Sequence, residues 1–511
     1  MRLLTQNQAR QLDRLAMEEE KIPGVDLMYR AGLAVAEEIK KLLTQTCSQD
    51  PVCIVCGKGN NGGDGFAAAT FLQEWTIPVM VYAIPAYGQI KGDAEVFHQK
   101  CLVAGISIHY EESPPFLEPW SVILDAMLGT GVRGELREPT TDWVRWMNES
   151  PCPVVAADVP TGLHTDSGLV ASETVSAAVT VTMGYPKLGL RLYPGAGYCG
   201  RIVTADIGFP DAGDRLDGLY YTEIEARDID PLLPIPERTV HKYKMGRILI
   251  ITGSRGMTGA AILAAQAAIR SGGGLVKICI PASLNTIIET NVIEGITIPC
   301  DDQDRGILSL DNKAKILDSI DWCDVVLVGP GLGRDPSTLD LVADIVQIIN
   351  KPLILDADGL AVLQNHITFA DLKPDTIITP HYGEWSGIIQ VPVAEFRPEL
   401  NHYLEQFLTS FKGVLHLKNA PSLTAQGERV VLNTTGYQGL ASGGTGDVLA
   451  GIMVALRGQG LSAFDAARTA AYVHGACADR LKKEKGIRGL IASDIVATIP
   501  TVLTEYEQQE H

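Results

Sequence analysis

The sequence has no cluster of lysine and arginine. Its 42 Lys and Arg are outnumbered by 61 Asp and Glu, for a net charge of -19. A chain without a basic run cannot neutralise a phosphate backbone, which argues against a nucleic-acid partner. Cysteine is sparse, ten in 511 residues, and Cys53-Ile-Val-Cys56 is the one C-x-x-C. Ten is too few for a disulfide framework. The pair lies in an apolar run read as a strand, where residues three apart face opposite ways, so two core thiols are expected and not a redox couple. No uncharged stretch is long enough to span a bilayer. The first twenty residues carry Arg2, Arg10, Asp13, Arg14 and Glu18 to Glu20 where a signal peptide would be apolar. A cytoplasmic enzyme with no membrane partner is expected.

What is present is glycine, 51 residues, against 6 % aromatics, with 46 % hydrophobic residues overall. That is a globular composition with many tight βα loops. Hydrophobic cores stop growing at about 250–300 residues, so two domains are expected. Short apolar runs read as buried parallel strands at Pro51 to Cys56, Val79 to Ala83, Ser121 to Asp125 and Val154 to Asp158, following helical segments over Leu12 to Lys41 broken near Pro23-Gly24. Three prolines in Asp228 to Arg238 interrupt any helix or central strand, and the boundary is placed ahead of them, giving domains 1–218 and 219–511. The alternation then restarts, with strands at Arg247 to Thr252, Leu275 to Ile280, Val325 to Val328, Leu353 to Leu355, Thr376 to Ile378 and Val414 to Leu417, and an alanine-rich helix from Ala260 to Arg270. The fold class is α/β in both halves, with ligands expected beyond the carboxyl ends of the strands.

In the first half, Gly57-Lys-Gly-Asn-Asn-Gly-Gly-Asp-Gly65 follows a strand and opens a helix. It matches G-x-G-x-x-G, and such a loop offers backbone N–H groups to an anion. A dinucleotide fold also needs an acid at the end of the next strand to hold the ribose, but that strand ends Tyr82-Ala-Ile-Pro85. A structural turn remains an alternative. Asp125 and Asp158 each stand at a strand end before a small-residue turn, where a lone aspartate is more often a cap. Three polar strand ends on one sheet are harder to read as caps.

In the second half, Val328-Gly-Pro-Gly331-Leu-Gly333, Asp356-Ala-Asp358-Gly359 and Thr379-Pro-His381-Tyr-Gly383-Glu384 follow strands, with backbone turns and a capping histidine as the plainer alternatives. The strongest element is Gly443-Gly444-Thr445-Gly446-Asp447 ahead of an apolar helix, Val448 to Leu456. Glycines at a helix N-terminus expose amides and the positive dipole end to phosphate, and Asp447 stands where a base accepts the proton of an attacking hydroxyl.

Taken in order, Asn60 to Gly65, Asp125 to Glu135, Asp158-Val-Pro-Thr-Gly162 and Tyr185-Pro-Lys187-Leu-Gly189 resemble the epimerase domain of the NAD(P)H-hydrate repair enzymes. The Gly443 to Asp447 segment resembles the signature of ribokinase-like kinases. With His381 to Glu384 and Lys418-Asn-Ala-Pro421, the second half resembles the ADP- or ATP-dependent hydrate dehydratases. The resemblance implies a Rossmann-like open parallel sheet followed by a ribokinase-like domain. It implies hydrate contacts at Asn60, Asn61, Gly62, Gly63 and Asp64, and at Gly129, Thr130, Gly131, Val132, Arg133, Gly134 and Glu135. For epimerisation at a hydroxyl-bearing carbon Asp158 would be the acid/base, Lys187 would meet the substrate's negative charge unless it is simply a solvated lysine, and K⁺ would lie at Asn61, Asp125 and Thr161. In the second half it implies hydrate contacts at Ala260, Gly331, His381, Gly383 and Glu384, and nucleotide contacts at Lys418, Asn419, Ala420, Pro421, Ser422, Gly443, Gly444, Thr445 and Gly446. Asp447 would be the base, ADP or ATP the co-substrate, and Mg²⁺ would bridge its phosphates. The expected partners are the hydrate, the nucleotide and further copies of the chain as a homo-oligomer. Tyr382 and Asn419 depart from the family's proline and glycine. Asn tolerates left-handed backbone, so the turn can keep its shape. Two other readings stand: a small-alcohol kinase fused to a ligand-binding module, and a first domain that only senses nucleotide.

Overall fold

The structure is a computed structural model that describes residues 1–46, 48, 50–84, 88–115, 119–132, 134–233 and 235–507. The chain divides into two compact units. One is Arg2–Gly218 with Arg397–Asn401; the other holds Leu219–Phe396 and the chain from His402 onward.

In the first unit a seven-stranded sheet runs in the order Ser107–His109, Val79–Ala83, Val52–Cys56, Val122–Ala126, Val154–Ala157, Val179–Met183, Arg201–Ala205, and each described pairing is parallel. Alternate residues of the central strand feed opposite cores. Val52, Ile54 and Cys56 pack under the helices Gly24–Thr46, Asn60–Glu74 and Asp93–Val103, while Cys53 and Val55 meet Trp143, Trp146 and Met147 of the helix Thr140–Glu149. Cys53 and Cys56 therefore sit on opposite faces, as the spacing predicts. The strand order turns back between Val52–Cys56 and Val122–Ala126, which opens a crevice at their carboxyl ends.

The G-x-G-x-x-G segment differs from its expected form. The helix begins at Asn60, so Gly62, Gly63 and Gly65 lie inside its first turns and only Gly57 to Gly59 form the loop. These glycines serve close packing. A Cβ on Gly62 would meet the Gly57 carbonyl oxygen at 1.9 Å, and one on Gly65 the Cβ of Ala126 at 2.7 Å.

In the second unit the strands run Tyr220–Glu223, Arg429–Asn433, Ser422–Gln426, Val414–Leu417, Thr376–Ile378, Leu353–Leu355, Val325–Val328, Arg247–Ile251, Leu275–Pro281, Ile296–Cys300. From Val414–Leu417 to Ile296–Cys300 the pairing is parallel, and Ser422–Gln426 runs antiparallel to both its neighbours. The helices Thr258–Arg270, Thr445–Gly458, Ala463–Lys485 and Ala492–Glu507 share one apolar core with the sheet. Here the order reverses between Arg247–Ile251 and Val325–Val328, so Thr252 to Gly259 and Gly329 to Gly333 face the crevice. No helix among the described residues is long and apolar enough to cross a membrane.

Candidate active sites

At the crevice of the first unit, Asp158 follows its strand with φ +63°, a left-handed conformation that costs a non-glycine residue energy and is held by its surroundings. Its carboxylate accepts bonds from the Thr182 hydroxyl and the Met183 amide, both 3.2 Å, and from the Lys187 ammonium. Lys187 is 3 % exposed, not solvated, and also donates to Thr182 Oγ1 (3.1 Å) and the Met183 carbonyl (3.0 Å). Asp64 lies buried in the first turns of its helix. Burial, with Asp158 and Asp13 as like charges, pushes its carboxyl far above the usual carboxylate range against the pull of Lys187. Asp13 was missed by the sequence reading. Burial lifts its pKa to about 6, with Lys187 lowering it and Asp158 raising it. The segment before it is pinned to Lys187, since the Leu4 amide donates to the Pro186 carbonyl (2.9 Å) and the Leu188 amide to that of Leu4 (2.8 Å). Helix Gln6–Arg14 carries Asp13, and no local spacing could have signalled its approach to residues ~150 positions away.

Asp125 is fully buried. It accepts from the Thr161 amide and hydroxyl, both 2.8 Å, and from the Met127 amide (3.2 Å), while burial lifts its pKa to about 6. Asn61 is 9 % exposed, and both polar atoms of its amide lack a partner. An unsatisfied buried amide calls for an absent group. It stands 3.5 Å from where a Cβ on Gly129 would sit, and the neighbouring Leu128 amide donates to Thr161 Oγ1 (3.0 Å). Asn61, Asp125 and Thr161 are thus brought to one place.

Of the loop after Asp125, Gly129 and Thr130 are half-buried, Val132 is buried, Gly131, Gly134 and Glu135 are exposed, and Arg133 lies outside the described residues. Glu135 is engaged locally, accepting from the Ser172 amide (2.8 Å) and hydroxyl (2.6 Å), which hold its carboxyl below the usual range. Asn60 is exposed at the helix start.

In the second unit Gly444 caps the helix Thr445–Gly458 at φ +90°, which only glycine adopts readily, and a Cβ there would meet Leu263 at 2.6 Å. Gly443 is open. The Thr445 hydroxyl turns inward to the Leu440 and Ser442 carbonyls, 3.0 Å each, so it braces the loop and leaves only its main chain toward a ligand. Behind it His474 is buried, its pKa pushed down to about 4 by desolvation against a hydrogen bond with the Thr445 backbone. The sequence reading missed this histidine as well, since it sits in the apolar helix Ala463–Lys485.

Asp447 has its pKa raised to about 7, chiefly by burial, then by Asp356 and against Lys418, with Asp358 adding to the rise. Lys418 donates to Asp356 at 2.7 Å and lies 4.0 Å from Glu384. His381 is the cap of the helix Tyr382–Ile389. Its Nδ1 accepts from the Gly383 (3.0 Å) and Glu384 (3.1 Å) amides, while Glu384 accepts from the His381 amide at 2.8 Å. That bonding leaves Nε2 of an exposed ring to carry the proton of the neutral imidazole. Tyr382 occupies the first helical position and packs edge-on against Phe396, 5.4 Å between centroids.

Gly331, at φ +58°, is pressed against Ala260, whose Cβ lies 2.9 Å from where one on Gly331 would stand. Asn419 to Pro421 form the turn between Val414–Leu417 and Ser422–Gln426. Asn419 is not left-handed, so its tolerance of that conformation is not used.

A family model described as NAD(P)H-hydrate dehydratase matches residues 248–501, and one described as YjeF-related protein N-terminus matches residues 24–189. A bifunctional NAD(P)H-hydrate repair enzyme of Moorella thermoacetica is 34 % identical over 519 residues, covering 100 % of this chain and 98 % of that protein. Another of Methanothermobacter thermautotrophicus is 35 % identical over 500 residues, covering 94 % and 92 %. Among solved structures, a protein of Streptococcus mutans described as hypothetical gives a TM-score of 0.51 at 26 % identity over 56 % of this chain and 100 % of its own. A ribokinase-like superfamily protein of Enterococcus faecalis gives 0.50 at 22 % identity over 56 % and 96 %, a likeness of fold. The two crevices, each with a strand-end carboxylate beside a glycine-rich helix start, and the full-length identity agree: the chain belongs to the family of bifunctional NAD(P)H-hydrate repair enzymes.

Proposed function

We propose that the first unit interconverts the R and S hydrates of NADH and NADPH, and that the second returns the S hydrate to the reduced cofactor. Asp158 is the acid/base at the hydroxyl-bearing carbon, and Lys187 holds it in place and meets the substrate's negative charge. Asn60 to Asp64 and the turn from Gly129 to Glu135 bind the nucleotide. K⁺ fits beside them: the unpartnered Asn61 amide, the Asp125 carboxylate and the Thr161 hydroxyl are hard oxygen donors. When bound, the ion supplies positive charge for an anionic substrate.

In the second unit Ala260, Gly331, His381, Gly383 and Glu384 hold the hydrate, and Lys418 to Ser422 with Gly443 to Gly446 hold ADP or ATP. Asp447 takes the proton of the hydrate's hydroxyl as its oxygen attacks the terminal phosphorus. The Gly443 to Gly446 amides stabilise charge on the transferred group. The bond from that phosphorus to its bridging oxygen breaks, so that ATP leaves as ADP or ADP as AMP; phosphate then departs from the ring carbon in place of hydroxide, the adjacent carbon loses a proton, and the ring double bond of the reduced nicotinamide is restored. Mg²⁺, when bound, would supply positive charge to the nucleotide phosphates. Two carboxylates here are already paired with cations, Asp356 with Lys418 and Asp358 with Arg334 (3.0 Å), so no protein ligand is assigned to the ion.

The observation that carries the reading is Asp447, half-buried at the amide end of its helix with a pKa near neutrality. Asp447→Ala is expected to bind nucleotide and lose dehydration while epimerisation persists; near-wild-type turnover would falsify the base assignment.

A further inference from the structure

We propose that Asp356 is a positioning residue, which holds the Lys418 ammonium between the His381–Glu384 turn and the Gly446 loop and away from Asp447. The inference rests on the reading of Asp447 as base.

Asp356 ends the strand Leu353–Leu355 and is 1 % exposed. A carboxylate so buried is retained only when paired. Its Oδ1 accepts from Lys418 at 2.7 Å and from the Thr379 hydroxyl at 2.5 Å. The next residue, Ala357, takes φ +48°, a left-handed conformation on a non-glycine residue. Such strain persists where the surroundings over-determine it. The turn separates the two carboxylates, so that Asp358 goes to Arg334 and the Gly333 amide while Asp356 goes to Lys418.

Lys418 is tied at its main chain, its amide donating to the Pro380 carbonyl at 2.8 Å. Its Nζ is 4.0 Å from Glu384 and 3.8 Å from where a Cβ on Gly446 would stand. The ammonium therefore faces both the turn that would hold the hydrate and the loop that would hold the nucleotide. A lysine side chain is a flexible stem with a point charge. Freed from Asp356, it has Asp447 as a neighbouring carboxylate, and an ion pair there would hold Asp447 charged and weaken it as a proton acceptor.

The charged groups facing Asp447 are Asp356, Lys418 and Asp358, the last bound to Arg334. Those facing Lys418 are Asp356, Glu384 and Asp447, with His416 against both Lys418 and Asp356. Asp356→Asn removes an anion from beside Asp447 and releases a cation toward it. Both changes favour the Asp447 carboxylate, so the acid limb of kcat must move to lower pH. Lys418→Gln removes the cation and must move the limb to higher pH.

The test is kcat and KM for nucleotide and hydrate across the neutral range in the full chain, with epimerisation by the same protein as the control for folding. Expected for Asp356→Asn are an acid limb shifted down, a nucleotide KM raised roughly tenfold, the scale of one charge-assisted hydrogen bond, and partial rescue in Asp356→Glu. Lys418→Gln is expected to raise nucleotide KM with the limb shifted up, which keeps the test open should Asp356→Asn fold poorly. An unmoved acid limb in both variants overturns the proposal, as does a raised Mg²⁺ requirement in Asp356→Asn, which would make the carboxylate a metal contact. Full activity in Asp447→Asn would instead sink the reading of the base itself.

Discussion

Asp447 and Asp13 hold protons at higher pH than free aspartates, for the same reason of burial, and each makes a claim about pH. With a pKa of about 7, Asp447 is a carboxylate above neutrality and an acid below it. A base must be unprotonated, so dehydration is expected to fall about tenfold per unit as pH drops below 7 and to level off above it. A kcat profile without an acid limb near 7 would contradict this. Asp13, at about 6, is charged at neutral pH and faces Lys187 and Asp158. Its anion attracts the Lys187 ammonium on which the Asp158 geometry depends. Asp13→Asn is expected to slow epimerisation by roughly up to tenfold at neutral pH, the effect of about 1.4 kcal/mol of lost charge attraction, and less below pH 6, where Asp13 is already neutral. Equal loss at both pH values would reduce Asp13 to a structural residue. Asp158 and Asp447 were legible from position alone, because a carboxylate at a strand end or beside a glycine loop is a local pattern. Asp13, the Thr182 hydroxyl and His474 were not, since each becomes relevant through a contact far away in the chain.

At the level of elements, the buried parallel strands were the clearest feature of the sequence. Val79–Ala83, Val325–Val328, Leu353–Leu355, Thr376–Ile378 and Val414–Leu417 have the bounds that their apolar runs predict. Strands covered on both faces are apolar throughout. Val179–Met183 escaped notice because its alternate residues are Thr180 and Thr182, buried hydroxyls that bond the Cys199 carbonyl and Asp158. Ser422–Gln426 and Arg429–Asn433 are an antiparallel pair with polar ends, outside the runs read as strands. The glycines after Gly59 show a related ambiguity, for they suggest a loop and are instead the face of a helix packed on two strands. A side chain there has nowhere to go: on Gly65 it would meet Ala126 at 2.7 Å and Cys56 at 2.8 Å. Gly65→Val is expected to cost roughly 1–3 kcal/mol by overpacking, seen as a lowered Tm and a loss of epimerisation that exceeds any loss of dehydration. A variant of unchanged Tm would show that the helix can shift.

For the whole molecule the claim is that one chain removes both hydrates. Incubated with mixed hydrates and ATP or ADP, the intact protein is expected to restore reduced-nicotinamide absorbance completely. With Asp158→Asn the rapid phase should stop at the S fraction, and the R remainder should follow only at the rate of spontaneous epimerisation. Complete rapid conversion by that variant would mean that Asp158 is not needed. A phosphorylated product that accumulates without return of absorbance would favour a small-alcohol kinase over a dehydratase.

The sequence by itself determined the class of each half and which loops carry its candidate groups. Apolar runs of strand length, glycine at helix starts and aspartate at strand ends are local signals, and local signals survive without coordinates. Only the tertiary structure decided which groups share a field. The pairing of Lys187 with Asp158 and of Lys418 with Asp356, the raised pKa values of Asp13, Asp64 and Asp447, and the unpartnered amide of Asn61 come from burial and from contacts between distant segments. Desolvation and Coulomb interactions act through space, and the order of residues along the chain does not contain those distances.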